Sequence, residues 1–275
     1  LEQAALLAHP DQALAASLWS LMGVEGHQAR DLGLALLEAQ NWAWAEYFFS
    51  QQLAQTPDDS LSYAYRGIAR DQAGGEGRAD IENAIALAPQ SPLPYYALGL
   101  SYRLEGRYDF SQQAFLDAHL LDPQNPALVA ELAASFAWLD QYEQADFWYT
   151  EATTLAPGDE RFIALRAAFY ADQAYELAGG DDFVQASLAN DPQNPSLLAS
   201  WGRLRFHRGD LAGSREALEL ALAAQPEDWR AQFYYAETLE RLRLPNEARP
   251  YYFRVAQSKS HYAEGARIAL QRLAE

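Results

Sequence analysis

The sequence predicts an all-α solenoid of about seven stacked helix-turn-helix repeats, and three observations carry that prediction. Pro57, Pro89, Pro123, Pro157, Pro192 and Pro226 follow one another at steps of 32, 34, 34, 35 and 34 residues. Between them one order of residues recurs. It is most regular in the stretch from Tyr95 to Pro126, as Leu98-Gly99, Tyr102, Gly106, Tyr108, Phe115, Ala118 and Pro123. The pentapeptide DPQNP also occurs twice, at Asp122–Pro126 and Asp191–Pro195. Such a unit reads as two amphipathic helices with a tight turn at Gly106 and a proline that ends the second helix. One unit exposes an apolar face that a stacked copy covers, so the chain reads as an array.

Taken in order, residues 1–25 form an apolar-rich helical segment interrupted at His9-Pro10 and read as an N-terminal cap. The array then spans 26–260, divided approximately as 26–59, 60–91, 92–125, 126–159, 160–194, 195–228 and 229–260. The first repeat carries Leu32-Gly33, Ala45, Phe49 and Pro57, with Trp42 and Trp44 at its hairpin. The second is two residues short and turns through Ala73–Gly77 (AGGEG). The third and fourth are regular. The fifth is irregular, and Gly179-Gly180-Asp181-Asp182 predicts a displaced turn. Its first helix then runs to about Ala178 and a short second helix covers about 182–190. The sixth returns to pattern with Trp201-Gly202, Gly209, Leu218 and Ala221, and the seventh lacks the closing proline. Residues 261–275 read as a C-terminal capping helix, with Leu270 and Leu273 inward and Arg267 and Arg272 outward.

Each recurring position of the unit has a physical role. Glycine at position eight allows close approach of helices, and alanine at positions twenty and twenty-seven does the same between second helices. Aromatics near positions eleven and twenty-four fill the space between units. Asn125 and Asn194 are placed to cap the following helices, with Pro126 and Pro195 in their first turns.

Composition narrows the function classes. The formal charge is −18, which argues against broad binding to nucleic-acid phosphates. Lys259 is the only lysine among 20 basic residues, and cysteine is absent, which excludes disulfides and thiolate chemistry. No run approaches the roughly 20 apolar residues of a membrane span, so direct membrane insertion is not expected. Residues 140–191 are acidic and 241–275 basic, two poles that oppositely charged surfaces could meet. Nothing in the composition identifies the compartment.

A search for chemistry finds none with a signature. His9, His27, His119, His207 and His261 are scattered without metal-ligand spacing. The Gly-rich pieces AGGEG and AGGDD follow no strand and lack a phosphate-loop lysine. Asp181-Asp182 reads as a solvated turn. The expectation is a chain without catalytic residues, metal or cofactor.

The repeat resembles the tetratricopeptide repeat over roughly residues 26–260, with the second and fifth units degenerate. The resemblance implies a right-handed superhelix whose first helices line a concave groove, and a binding platform for peptides or partner helices. Groove-facing positions two, five, nine, twelve and thirteen then give the candidate site Arg30, Leu34, Tyr96, Leu100, Arg103, Leu104, Ala130, Ala134, Trp138, Arg203, Phe206, His207 and Phe233. The Lys, Asn and Arg pattern of the chaperone-tail-binding members is absent, as is a ladder of groove asparagines. The remaining surface is apolar, floored by alanine and rimmed by arginine, which fits a hydrophobic or amphipathic protein segment. Two alternatives are a structural component that self-associates through its ends, and a regulatory or docking module of a longer enzyme.

Overall fold

The computed structural model describes residues 29–274. These residues form fifteen helices and no strand among the described residues. They group into two compact units that divide between Gln141 and Tyr142. The expected N-terminal cap at 1–25 lies outside the described residues. No described helix is long and apolar enough to cross a membrane.

Unit 1 contains α1 (Ala29–Glu38), α2 (Trp42–Gln55), α3 (Ser60–Gln72), α4 (Arg78–Leu87), α5 (Pro92–Leu104), α6 (Tyr108–Leu121) and α7 (Pro126–Trp138). Unit 2 contains α8 (Tyr142–Leu155), α9 (Glu160–Gln173), α10 (Leu177–Asn190), α11 (Pro195–His207), α12 (Leu211–Ala224), α13 (Trp229–Arg241), α14 (Pro245–Gln257) and α15 (Ala263–Arg272).

The helices start where side chains satisfy the first free backbone amides. Asn125 Oδ1 accepts from the amides of Ala127 at 3.1 Å and Leu128 at 3.4 Å. Asn194 accepts from Leu197 N at 3.2 Å. In both DPQNP copies the asparagine amide donates back to the leading aspartate at 3.0 Å, to Asp122 and Asp191. Asp59, Asp159, Asp210 and Asp228 cap α3, α9, α12 and α13 in the same way. The hairpins close through one residue in the left-handed region: Gln40, Gly74, Gly106, Asp140, Gly209 and Arg243. The following amide returns to a carbonyl five residues back, as Arg107 N to Tyr102 O at 2.9 Å and Leu244 N to Leu239 O at 2.9 Å.

The position-eight glycines lie under the buried position-twenty-four side chains. A Cβ on Gly99 would sit 2.6 Å from the Phe115 ring, and one on Gly33 would sit 2.7 Å from Phe49. Gly202 stands in the same relation to Leu218 at 2.5 Å. Phe49, Phe115 and Leu218 are fully buried, so the missing methyl groups let the rings fill the space between paired helices. In unit 2, Leu218, Tyr252 and Val255 join Leu239 and Ala266 in one core that also takes Leu270 and Leu273 of the C-terminal segment.

The fifth repeat differs from its expected form. α9 ends at Gln173, Ala174 and Glu176 both take left-handed conformations, and α10 begins at Leu177. Gly179 and Gly180 are therefore inside α10 rather than in a turn. The physical reason is packing: a Cβ on Gly180 would lie 2.8 Å from the Tyr170 Cβ. Asp181 is not a solvated turn residue either. It is 3% exposed and forms an ion pair with Arg208.

Candidate functional site

In unit 1 the candidate residues fall on the first helices α1, α5 and α7. Tyr96, Leu100, Arg103 and Leu104 occupy successive turns of α5, so helical geometry alone sets them on one side. Tyr96 is half-buried, with its ring 5.9 Å from Phe115. Burial, reinforced by the charge of Glu131, pushes its phenol up to about 12. Arg103 Nη1 donates to Glu131 Oε2 of α7 at 2.5 Å. Leu104 is 53% exposed and opens on a cleft of about 480 Å³ shared with Asp71, Glu76, Glu82 and Glu105.

The α7 candidates differ among themselves. Ala130 is buried and Ala134 half-buried, so Ala130 serves packing while Ala134 reaches the surface. Trp138 is 52% exposed and stacks on Tyr108 at the hairpin of the preceding repeat, 5.1 Å between centroids and 13° between planes. Leu61 of α3 is a further exposed apolar residue on a first helix. Arg30 approaches Asp59 at 3.5 Å, and Leu34 packs against the α1–α2 core.

In unit 2, Arg203 Nη1 donates to Glu237 Oε2 at 2.5 Å and its guanidinium lies 4.9 Å from the Phe206 centroid. Arg241 approaches the same ring at 5.4 Å. Burial raises the Glu237 pKa against the lowering influence of Arg203. His207 Nε2 lies 3.0 Å from the carbonyl oxygen of Ala171, which makes it the donor. Burial, followed by the charge of Arg203, lowers its pKa. Phe233 packs inside the unit: it stacks on Tyr262 at 5.3 Å and meets Tyr252 edge-on at 5.9 Å. The chain that leads into α15 thus covers Phe233.

The arginine rim expected from the sequence is already paired. Arg30 meets Asp59, the cap of α3, and Arg103 and Arg203 each meet a carboxylate of the next repeat, Glu131 and Glu237. A network around Asp172 lies outside the candidate residues. Tyr234 donates to Asp172, Arg230 lies 3.6 Å from it, and Tyr234 and Tyr262 are 3.3 Å apart. Burial and then the charge of Asp172 hold the Tyr234 phenol well above its ordinary value. Tyr234 and Asp172 of this network are 62 residues apart in sequence, so no local pattern marks them. Among the described residues no group of three His, Cys, Asp or Glu could hold a metal.

No protein-family model matches the chain. The chain is 26% identical over 156 residues to the heat-shock protein cognate co-chaperone sgt12 of Aspergillus fumigatus. That match covers 57% of this chain and 44% of the co-chaperone, so the chain spans less than half the length of this relative. A tetratricopeptide repeat protein from Parabacteroides merdae superposes with a TM-score of 0.74 at 11% identity, covering 90% of this chain and 98% of that one. YrrB, described as a TPR protein with an unusual peptide-binding site, superposes with a TM-score of 0.50 at 18% identity, over 66% of this chain and 95% of its own. With the helical hairpins and their glycine-under-ring packing, these likenesses establish the architecture: the chain has the tetratricopeptide-repeat fold.

Proposed function

We propose that this chain is a non-catalytic protein–protein interaction scaffold and that the first-helix face of unit 1 holds an apolar or amphipathic segment of its partner. The observation that carries this is the set of exposed apolar side chains on those helices. Leu61, Leu104 and Trp138 are 38%, 53% and 52% exposed, beside half-buried Tyr96 and Ala134. Covering such residues removes apolar surface from water at roughly 25 cal/mol per Å² before the costs of association. The paired arginines Arg30 and Arg103 then frame the segment rather than supply unpaired charge. The similarities to the co-chaperone and to YrrB, a TPR protein with an unusual peptide-binding site, support the general class of binding platform.

Panning a displayed peptide library on the chain supplies a defined ligand. Tyr96→Asp and Leu104→Asp should each weaken its binding roughly tenfold or more at unchanged helicity. Leu120, 76% exposed on the second helix α6, is the control: if Leu120→Asp weakens binding and the first-helix changes do not, the reading fails.

A second reading, a self-assembling component of a larger complex, is favoured by the exposed second-helix residues Phe110, Leu120, Leu220 and Phe253. Light scattering at low and high salt separates its charge-led form, which weakens as salt screens it. A monomer at both rules it out.

A further inference from the structure

Unit 2 contains a second cleft, of about 720 Å³, in a place the unit 1 reading does not use. It lies where the connection between α12 and α13 meets the segment leading into α15. Its walls include Glu227, Asp228, Trp229, Arg230, His261 and Tyr262. The volume is within the usual range for small-ligand sites, roughly 300–1,000 Å³.

The side chains differ in how far they are already committed. Asp228 Oδ1 accepts from the amides of Arg230 at 2.9 Å and Ala231 at 3.3 Å, which leaves its second oxygen uncommitted among the described residues. Glu227 beside it is exposed. Arg230 contributes little positive charge to the opening. Its guanidinium lies 3.6 Å from Asp172 and donates to Ser200 at 2.5 Å and Tyr234 at 3.2 Å. Tyr262 has one face on Phe233 and the His261 ring on it, with centroids 3.8 Å apart. Trp229 is half-buried, packs against the unit 2 core and also lines the cleft.

Carboxylate oxygens and an indole that line the same cleft make an environment for a cation that also spreads over a ring. The chain uses that pairing repeatedly within itself. Arg78 lies 3.8 Å from the Tyr102 centroid, with Glu105 as its carboxylate partner at 2.6 Å. Arg205 lies 4.6 Å from Trp201 and 2.7 Å from Asp210. The cleft brings Trp229 and the two carboxylates together in one lining, while the guanidinium of Arg230 is paired with Asp172. The formal charge of −18 draws cationic groups toward the molecule as a whole.

We propose that this cleft binds a guanidinium or alkylammonium group, presented by a basic side chain of a peptide partner, between the Trp229 indole and the carboxylates of Asp228 and Glu227. The site is separate from the apolar face of unit 1, and either can fail without the other.

The test is a nuclear magnetic resonance titration of the full chain, following the Trp229 indole N–H and the His261 ring signals. Three ligands are compared: a short blocked peptide with one arginine, the same peptide with citrulline in its place, and methylguanidinium. The arginine peptide should move both signals and the neutral citrulline peptide should leave them in place. Methylguanidinium binding as well as the peptide would assign the site to free cations; weaker binding would assign it to a peptide side chain. The double variant Glu227→Gln, Asp228→Asn keeps an oxygen to cap α13. It should bind the arginine peptide roughly tenfold more weakly. Equal shifts with citrulline, no shift with any ligand, or undiminished binding by the folded double variant would overturn the proposal.

Discussion

At the scale of single residues, the packing rests on atoms that are missing. Gly99 is helical with nothing unusual in its backbone, and its role appears only through the Phe115 ring that would meet an added methyl at 2.6 Å. Because Phe115 is fully buried, it cannot yield. Gly99→Ala should therefore destabilise the chain by about 1–3 kcal/mol in chemical denaturation, the usual cost of overpacking. His207 gives a pH-dependent contribution of known sign. Its folded pKa is below the ordinary 6.5, so the unfolded chain binds more protons in the interval between the two values. The contribution is complete above pH 6.5 and is lost as the pH falls through that interval. Denaturation midpoints of the native chain and His207→Gln, compared from pH 7.5 to 5, should converge as the pH drops. Parallel curves would mean that burial of the neutral ring is not what His207 contributes. The raised pKa of Glu237 acts in the opposite direction and is common to both proteins.

At the scale of helices and hairpins, the proline spacing made nearly every element legible, because one residue type both stops a helix and sets the period. The asparagine caps were legible for the same reason: Asn125 and Asn194 stand at matching places in two identical pentapeptides. The fifth repeat was not, because two adjacent glycines read locally as a turn. Counting twelve residues back from each proline resolves it. The positions are Ala45, Gly77, Ser111, Ala145, Gly180 and Ser214, all small, so Gly180 belongs to the packing series. The two glycines should consequently respond in opposite ways. Gly180→Ala meets Tyr170 and should cost about 1–3 kcal/mol. Gly179→Ala meets nothing within 4 Å, and should stabilise by about 0.5–1 kcal/mol through helix propensity. Thermal melts of the two variants decide this, and a destabilised Gly179→Ala would return the segment to a turn. The site was only half legible. Helical periodicity places Tyr96, Leu100 and Arg103 on one side of α5, but not the carboxylates that neutralise the arginines. Those pairs join residues 28 to 34 positions apart, and Tyr234 with Asp172 are 62 apart. Charge complementarity over such distances is readable only once the repeats are stacked.

At the scale of the molecule, the charges of the candidate surface are largely paired within the chain while several of its apolar groups are open. Surface ion pairs of this kind contribute about 0–1 kcal/mol each, so they order the arginines more than they hold the fold. Partner binding at the first-helix face of unit 1 should accordingly depend on apolar contact and change little with salt. The chain has no cysteine, so a fluorophore on a single introduced cysteine reports one place at a time. The most direct measurement titrates a library-selected peptide into two such proteins, Leu104→Cys on the first-helix face and Leu120→Cys on the second. A partner segment on the first-helix face should give a saturable change at 104, nearly independent of salt, and none at 120. A saturable change at 120 with a silent 104 would contradict this placement.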